Sequence, residues 1–472
     1  MSSVSALNTL LASSSSSSSI DLSQILQAAT GASSTGIDVT AAVNAAVTAA
    51  QAPETTWENQ ETTLQSQTSA LTQLQTDTTN LDNDMQSLNN LTGPLSTRTV
   101  SSSNSSIVTA SAASGASVGN HTVVVGSLAA TASWASSTVA SATTPLAAGS
   151  FTITAASGNP TTISTGTGTS TLTDVANTIN GDNLGVTANV ITDANGARLA
   201  IVSNTSGSAA NFTVAAGTGG LGFSQAVNGA NASVTVDGIT LSSASNTVTG
   251  ALPGVTLNLL NAAPGTNVGL AIAPDTSQAS TAINQFVTDY NKAIGDVNAQ
   301  FIFNGSSEGV LAGDSVVRSL QSTLQGALGY TYTPSSGTTS VSSLTSLGIS
   351  VNKDGTLSVD NGALSSVLQN NFSDVQNFFQ GPSLNGFANS LDQQLTSFTS
   401  PADGAFTVDL QSISTDYSGL QTDINNFQTN YIVPLKAQLT SEYSKAEILL
   451  QQLPTEMQQI NSELGLNTKS GG

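Results

Sequence analysis

Residue types that carry most enzyme chemistry are scarce in this sequence. It contains one histidine and no cysteine, which excludes thiol catalysis, disulfides and thiolate metal sites. The single histidine, His121, lies beside a predicted strand, and no nucleophile is spaced to act with it in a triad. We therefore interpret His121 as a strand-edge residue without a catalytic role.

Acidic residues that could work in pairs also lack a convincing setting. Carboxylate pairs hydrolyse glycosides when both flank one bond, but each candidate here lies in a turn-like context, where Asp bonds to the nearby backbone. The candidates are Asp193, Asp237, Asp354 and Asp360. The phrase SVNKDGTLSVDN resembles part of a calcium loop, but Ser350 and Asn361 replace its terminal carboxylates, so an Asp-Gly hairpin explains it better. The sequence therefore predicts no enzyme, no cofactor and no metal site.

The charge balance excludes two classes of partner. With 29 acidic residues against 8 basic ones, the net charge of −21 opposes binding to nucleic acid or to an anionic bilayer. No run approaches the roughly 18 apolar residues of a transmembrane helix, so we predict no membrane insertion. The first residues, MSSVSALNTLLASSSSSSS, have no basic region before an apolar run, and we expect no cleaved secretory signal.

Hydrophobic periodicity predicts long helices at both ends and β-rich segments between them. The predicted class is α+β multidomain: a terminal long-helix coiled-coil or bundle leg with inserted antiparallel β-rich domains. In chain order the predicted domains are a disordered Ser-rich arm (1–34), an N-terminal helical leg segment (35–97), a first β-rich head domain (98–142 and 229–274), an inserted second β-rich head domain (143–228), a helical leg domain with a β-hairpin (275–400), and C-terminal heptad helices that pair with the N-terminal ones (401–472).

The β-rich region carries local signals of its own. Its segments alternate with period two, and Asn195-Gly196 and Asp237-Gly238 indicate tight hairpins. Between them, residues 171–180 (TLTDVANTIN) predict one short helix with a Thr cap. We expect that helix to bury Leu172, Val175 and Ile179 on one face.

The helical ends carry heptad seams. From Leu64 to Leu91 the only charges are Asp77, Asp82 and Asp84, so Glu–Lys pairs cannot select the partner of this helix. The C-terminal seam, which also includes Tyr431, is interrupted by Pro434 and Pro454, so we expect two or three helices with breaks. The residues predicted to act in helix packing and assembly are Leu64, Leu71, Leu74, Leu81, Met85, Leu88, Leu420, Ile424, Phe427, Leu450, Leu453, Met457 and Ile460.

An ordered series of phrases resembles the flagellar hook-associated protein 2, or filament cap, family over nearly the whole chain from Gly36. The matching phrases include GIDV, PETTWENQETTLQSQTSALTQL, TLTDVANTINGDNLGVTANVITDANGARLAIVS, NASVTVDGITLSSASNTVTGALPGVTLNLLNAAPGT and LTSLGISVNKDGTLSVDNGALSSVLQNNFSDVQNFF. This resemblance implies an extracellular structural protein, exported through the flagellar type III apparatus to the distal tip. It implies a homo-oligomeric ring of five or six subunits that promotes flagellin folding and insertion and prevents flagellin loss.

The resemblance also implies partners. They are flagellin, the hook–filament junction protein, further copies of the chain and an export chaperone at the C-terminal segment. Host glycans are a separate expectation, as ligands of the Thr- and Ser-rich sheets in the outer β domains. Two alternatives remain at this point: another flagellar axial protein, such as a junction protein or a flagellin-like protein, and a surface adhesin that binds glycans. The Ser run and the low charge of the helices depart from the family pattern.

Overall fold

The structure is a computed structural model of the chain and describes residues 38–155, 158–166, 170–219, 221–302, 309–334, 337 and 339–463. The predicted Ser-rich arm, residues 1–34, lies outside the described residues, as does the end of the predicted C-terminal segment after residue 463. The architecture is α+β and multidomain, as the sequence predicted.

Helices occupy both ends and the third quarter of the described chain. In chain order they are α1 (Val39–Ala50), α2 (Ala52–Asn89), α3 (Leu172–Gly181), α4 (Thr276–Gln300), α5 (Ser315–Ala327), α6 (Asn361–Asn370), α7 (Phe372–Gln380), α8 (Phe387–Thr399), α9 (Ala405–Phe427) and α10 (Val433–Glu463), with a π-helical turn at Gln428–Ile432.

All strand pairs are antiparallel. The strands are β1 (Arg98–Ser102), β2 (Val108–Ala112), β3 (Gly119–Ser127), β4 (Thr131–Ser136), β5 (Gly149–Thr154), β6 (Pro160–Thr165), β7 (Val186–Asp193), β8 (Gly196–Ser206), β9 (Thr213–Ala216), β10 (Phe223–Val227), β11 (Ala232–Val236), β12 (Ile239–Ser243), β13 (Thr247–Leu252), β14 (Val255–Leu259), β15 (Val268–Pro274), β16 (Ile349–Val351) and β17 (Leu357–Val359). The sheets have the strand orders β1-β15-β3-β11-β12, β10-β4-β8-β7, β13-β14-β2, β6-β5-β9 and β16-β17.

The chain divides into two compact units. The helical unit contains the described residues of 38–82, 289–326 and 393–463, and the mixed unit contains those of 83–288 and 327–392. Four helices, α2, α4, α5 and α8, contribute residues to both units.

The long helix α2 starts and continues for identifiable reasons. Gln51 ends α1, and Pro53 lies in the first turn of α2, where its missing N–H costs nothing. Along α2, hydroxyl side chains donate hydrogen bonds of 2.7–2.9 Å to the carbonyl four residues earlier, which satisfies them without a partner helix. These hydroxyls belong to Thr62, Thr63, Ser66, Thr68, Ser69, Thr72, Thr76, Thr78 and Thr79.

Within the mixed unit, β-branched residues build two separate hydrophobic clusters. The first lies between the β1-β15-β3-β11-β12 and β13-β14-β2 sheets and includes Val123, Val234 and Leu257. Its hairpin between β11 and β12 turns through Asp237 and Gly238, both with positive φ, as the Asp-Gly signal predicted.

The second cluster contains the predicted short helix, and that prediction is confirmed. Thr171 caps α3 through a reciprocal pair of bonds with Asp174, and Leu172, Val175 and Ile179 are buried. Strand β4 pairs with β8 and β10 and contributes Ala132 to this second cluster. The sequence analysis placed residues 131–136 in the first β-rich domain, but the structure pairs this strand with β8 and β10 of the second cluster.

The end of α2 in the mixed unit is held by a buried amide. Gln380 is 3% exposed, and its Nε2 donates to the carbonyls of Leu88 and Asn90, both at 3.1 Å. Gln376 in turn donates to Gln380 Oε1 at 3.1 Å. These bonds satisfy carbonyls at a helix C-terminus, where no intrahelical donor exists. A cluster of aromatic rings fills the adjacent core. In it, Phe378 stacks on Phe387 with ring centroids 5.5 Å apart.

Of the helices in the described ranges, none combines the length and the apolar character that crossing a membrane requires.

Replacing Gln380 tests this cap. We expect Gln380→Ala to lower the free energy of unfolding by about 1–3 kcal/mol, because the buried carbonyl of Leu88 loses its side-chain donor. Chemical denaturation of the full chain measures the loss. Gln369→Ala, which removes an exposed amide of α6, is the matched control, and equal effects of the two variants would contradict the role given to Gln380.

Candidate functional site

The side chains whose types could support catalysis make structural contacts instead. His121 Nδ1 lies 2.7 Å from Asp237 Oδ2, and Asp237 Oδ1 accepts the main-chain N–H of Thr122 at 2.8 Å. The hydrogen bonds from His121 and Thr122 lower the pKa of Asp237. This pair ties β3 to the β11–β12 turn.

The phrase that resembles a calcium loop forms a hairpin. Gly355 has φ +84°, and Asp354 Oδ1 accepts hydrogen bonds from the N–H and the hydroxyl of Thr356. The carboxylate is thus engaged by its own turn, as expected of an Asp-Gly hairpin between β16 and β17.

The N-terminal seam residues are the most deeply buried of the predicted assembly set. Leu64 is half-buried, whereas the later seam residues are at most 1% exposed. Those residues are Leu71, Leu74, Leu81, Met85 and Leu88. In the isolated chain they therefore form core, and they are not available to a second subunit.

A buried ionic cluster fixes the middle of α2 on α4 within the helical unit. The side chain of Asp77 is fully buried, and its Oδ1 lies 2.5 Å from Lys292 Nζ. Gln73 donates to Asp77 Oδ2 at 2.9 Å, and Asp296 also acts on the Asp77 carboxyl. Burial acts to raise the pKa of Asp77, but these hydrogen bonds and the charge of Lys292 outweigh it and leave that pKa lowered.

This cluster corrects one prediction from the sequence. We expected that charge could not select the partner of this helix because its only charges are aspartates. The cation comes instead from α4, where Lys292 forms an ion pair with the buried Asp77. One ion pair therefore does define which helix lies against α2.

The first turns of α2 lie against α9 in the helical unit, so the two ends of the chain do meet there. Gln65 donates to the hydroxyl of Tyr417 at 3.0 Å, and Gln421 donates to Glu61 Oε1 at 3.0 Å. Trp57 packs edge-on against Phe427 with ring centroids 5.3 Å apart. Half-buried side chains, which include the predicted residues Leu420, Ile424 and Phe427, line α9.

Helix α1 packs against the residues around the π-helical turn. Ile432 is 4% exposed and packs with Val43 and Val47, whereas Tyr431 is 50% exposed. The predicted seam contained Tyr431 and omitted Ile432. The π turn contains one extra residue, so the buried position falls one residue later than a regular α-helix would place it.

The two prolines do not break the C-terminal helix, contrary to the prediction. Pro434 follows the π turn, in which the backbone rearranges its hydrogen bonds ahead of the residue without an N–H. Pro454 lies inside α10, in a part where every side chain is exposed, so water can reach the carbonyl that Pro454 leaves without a donor. The chain is helical from residue 405 to residue 463.

The last predicted assembly residues lie on the surface. Leu450, Leu453, Met457 and Ile460 are 44%, 47%, 58% and 52% exposed, respectively. Within the described chain α10 contains no buried residue. We call these four residues the exposed stripe. An apolar row of this kind on a helix is typical of a surface that packs against another helix.

Comparison with known proteins assigns the chain to a family. Residues 35–132 match the family model of the flagellar hook-associated protein 2 N-terminus, and residues 229–455 match that of its C-terminus. The chain belongs to the flagellar hook-associated protein 2 family.

Individual relatives agree. The B-type flagellar hook-associated protein 2 of Pseudomonas aeruginosa is 27% identical over 400 residues, covering 78% of this chain and 83% of that protein. The flagellar hook-associated protein 2 of Aeromonas caviae is 29% identical over 310 residues, covering 61% and 66% respectively. The crystal structure of the flagellar cap protein FliD D1-D2-D3 domains from Escherichia coli aligns with a TM-score of 0.59 at 28% identity, covering 73% of this chain and 99% of that one.

The two family models leave residues 133–228 of this chain unmatched. That stretch carries α3 and nearly all of the second hydrophobic cluster. The exposed stripe lies at the end of the C-terminal match, with Met457 and Ile460 beyond it.

Sequence reasoning missed Lys292 and Asp296 in this family member. Lys292 and Asp296 stand one turn apart on α4, opposite the apolar residues by which that helix was recognised. A signal was present, since Asp77 lies directly beside the seam and a buried carboxylate requires a partner.

Removing the cation tests the cluster. We expect Lys292→Met to lower the free energy of unfolding by about 1–3 kcal/mol, because buried Asp77 loses its counterion while the aliphatic stem is kept. Adding Asp77→Asn should recover part of the loss. Thermal or urea unfolding measures both, with the exposed Lys353→Met as control. A Lys292→Met variant as stable as the control would contradict the importance of the pair.

Proposed function

We propose that this protein caps the bacterial flagellar filament as an oligomeric ring at its distal tip. Membership of the flagellar hook-associated protein 2 family is the observation that carries the proposal. A structural neighbour is itself a flagellar cap protein. In this role the protein promotes flagellin folding and insertion and prevents flagellin loss, after export through the flagellar type III apparatus.

The exposed stripe supports an assembly role for the end of α10. Its apolar side chains remain in water in the single chain, and burying each one stabilises a contact by about 1.5–3 kcal/mol before ordering costs. We propose that the stripe contacts neighbouring cap subunits, flagellin or the hook–filament junction protein. An export chaperone would use the same end before assembly.

The buried N-terminal seam plays a different part in this proposal. Its leucines already fill the core of the chain, so in this proposal they serve folding and leave assembly to the exposed stripe. The ring is proposed to contain five or six subunits. Glycan binding by the outer β-rich region stays a prediction, and binding of the 100–275 fragment to glycans is its test.

Deleting the gene tests the proposed function. We expect the mutant strain to release unpolymerised flagellin and to grow short filaments or none, because incoming subunits are no longer retained at the tip. Electron microscopy and the flagellin content of the medium give the readout. Normal filaments in the mutant would overturn the proposal, and a labelled protein found along the filament or at its base would favour the alternative of another axial protein.

A surface variant separates assembly from stability. The double variant Leu453→Ser with Met457→Ser should change the free energy of unfolding by less than about 0.5 kcal/mol, because both residues are exposed, yet shorten filaments in complemented cells. Leu74→Ala should instead cost about 2–5 kcal/mol of stability.

The matched control replaces polar neighbours on the same helix, Gln452→Ser with Gln459→Ser. Filaments of normal length with the Leu453 and Met457 variant, or equally short filaments with the control, would argue against the stripe as the assembly surface.

A further inference from the structure

Strand β12 is an edge of the largest sheet. It lies last in the strand order β1-β15-β3-β11-β12. A two-residue turn joins it to β11, so the pair beside the turn, Val236 with Ile239, exchanges main-chain hydrogen bonds and the following pairs alternate. The main-chain N–H and C=O groups of Thr240 and Ser242 therefore point away from β11, out of the edge of the sheet.

Two contacts agree with this alternation. Thr235 and Thr240 stand opposite each other with their hydroxyl oxygens 3.0 Å apart, as expected of a non-hydrogen-bonded pair, whose side chains lie closer. The N–H of Asp237 bonds to the carbonyl of Thr122 in β3 at 2.9 Å. Odd-numbered residues of this segment thus bond to β3, and even-numbered residues of β11 bond to β12.

The hairpin that carries β12 is anchored at both ends. At the turn, Asp237 Oδ1 accepts the N–H of Thr122 at 2.8 Å, and Asp237 Oδ2 lies 2.7 Å from His121 Nδ1. At the other end, Asn231 Nδ2 donates to Ser242 Oγ at 3.0 Å. All five residues of β12 pair with β11 without a bulge. Because this edge is already ordered, a further strand can add to it at a small cost in entropy.

Other edge strands in the described ranges are blunted. Strands β10 and β13 carry bulges, between Gln225 and Val227 and between Thr249 and Leu252. Strand β6 begins at Pro160, which has no N–H to donate. Bulges and prolines at an edge hinder the pairing of a further strand.

The remaining edges are covered or short. On β7, the side-chain amide of Asn180 takes the place of a neighbouring strand: it donates to the carbonyl of Ala188 at 3.0 Å and accepts its N–H at 2.8 Å. Strands β1 and β2 lie against each other, β9 has four residues, and β16 and β17 have three each. Strand β12 has none of these protections and contains neither a charged residue nor a proline.

The distribution of charge favours β12 as a contact between two copies of the chain. The net charge is −21, so two copies repel each other unless they meet at a surface poor in carboxylates. From Ala232 to Gly250 the only charged residue is Asp237, which is paired with His121. Two acidic chains can therefore approach closely along this segment.

The sequence of β12, ITLSS, is also complementary to itself. In an antiparallel pair centred on Leu241, Thr240 of one copy stands opposite Ser242 of the other, and the outward main-chain groups of both residues meet. Ile239, which is 67% exposed, then lies diagonally across from Leu241 of the second copy on the same face. Pairing in this register satisfies the edge and removes an exposed apolar side chain from water.

We propose that β12 is a self-association edge, through which two copies of this chain pair antiparallel about a two-fold axis and join their five-stranded sheets into one continuous sheet. A two-fold contact pairs subunits and cannot by itself close a ring. The pairing is therefore a contact additional to the proposed ring, and it does not depend on the proposed function.

Cysteine crosslinking tests the pairing and its register, because the chain contains no cysteine of its own. We expect a mixture of the full-length single variants Thr240→Cys and Ser242→Cys to form at least about fivefold more disulfide-linked dimer than either variant alone. Residues opposite in a hydrogen-bonded pair have Cα atoms about 5.5 Å apart, within the roughly 4.4–6.8 Å that a disulfide spans. Both positions are exposed, so the variants leave the core intact. Non-reducing electrophoresis after mild oxidation measures the dimer.

Hydrogen–deuterium exchange of the unaltered chain gives an independent readout. Exchange at residues 239–243 should slow as the protein concentration rises, because pairing protects the edge. Thr240→Lys with Ser242→Lys sets like charges opposite each other and should abolish this response. The matched control makes the same change on the bulged strand β13, Thr247→Lys with Thr249→Lys, and should respond as the unaltered chain does.

The contrary results are equally specific. Equal crosslinking in the mixture and in the single-variant samples would overturn the register, and exchange at residues 239–243 that is independent of concentration would overturn the pairing. Slower exchange caused only by an added ASVTV peptide would assign the edge to a strand of another protein instead. Crosslinking should persist when Leu453→Ser and Met457→Ser are added, which separates β12 from the exposed stripe; its loss there would contradict an independent contact.

Discussion

A single buried carboxylate determines how the longest N-terminal helix lies in this protein. Asp77 cannot stay ionised inside the helical unit without Lys292 and Gln73. Gln73 reaches Asp77 along α2 itself, whereas Lys292 meets it only when α2 and α4 lie in one register. The leucines of the seam supply burial but tolerate small shifts along the helix. The hydrogen-bonded ion pair does not, so it specifies the arrangement that the apolar residues stabilise.

Much of the architecture could be predicted from the sequence because local chemistry decides it. The cap of α3, the Asp-Gly hairpin at residues 237–238 and the apolar stripe of α4 all depend on residues close in the chain. The effects of Pro434 and Pro454 could not be predicted in this way. They depend on whether the backbone rearranges or meets water, which a proline in a sequence does not disclose.

The candidate site, too, could be predicted from the sequence only in part. The heptad spacing identified the apolar residues, but not which of them face the interior. Leu74 is core and Leu453 is surface, although both occupy seam positions. Likewise Lys292 acquires significance only from Asp77, more than two hundred residues earlier in the chain. Helix periodicity therefore locates a face, whereas long-range contacts decide whether that face serves folding or association.

The hydroxyl groups of α2 give its outer surface an unusual character. Each of these Thr and Ser side chains uses its only hydrogen on its own helix, so it can offer a passing molecule methyl or methylene groups and lone pairs but no donor. Such a surface suits weak, sliding contacts better than tight binding. Contacts made on it should respond weakly to ionic strength, because there is little charge for dissolved salt to screen.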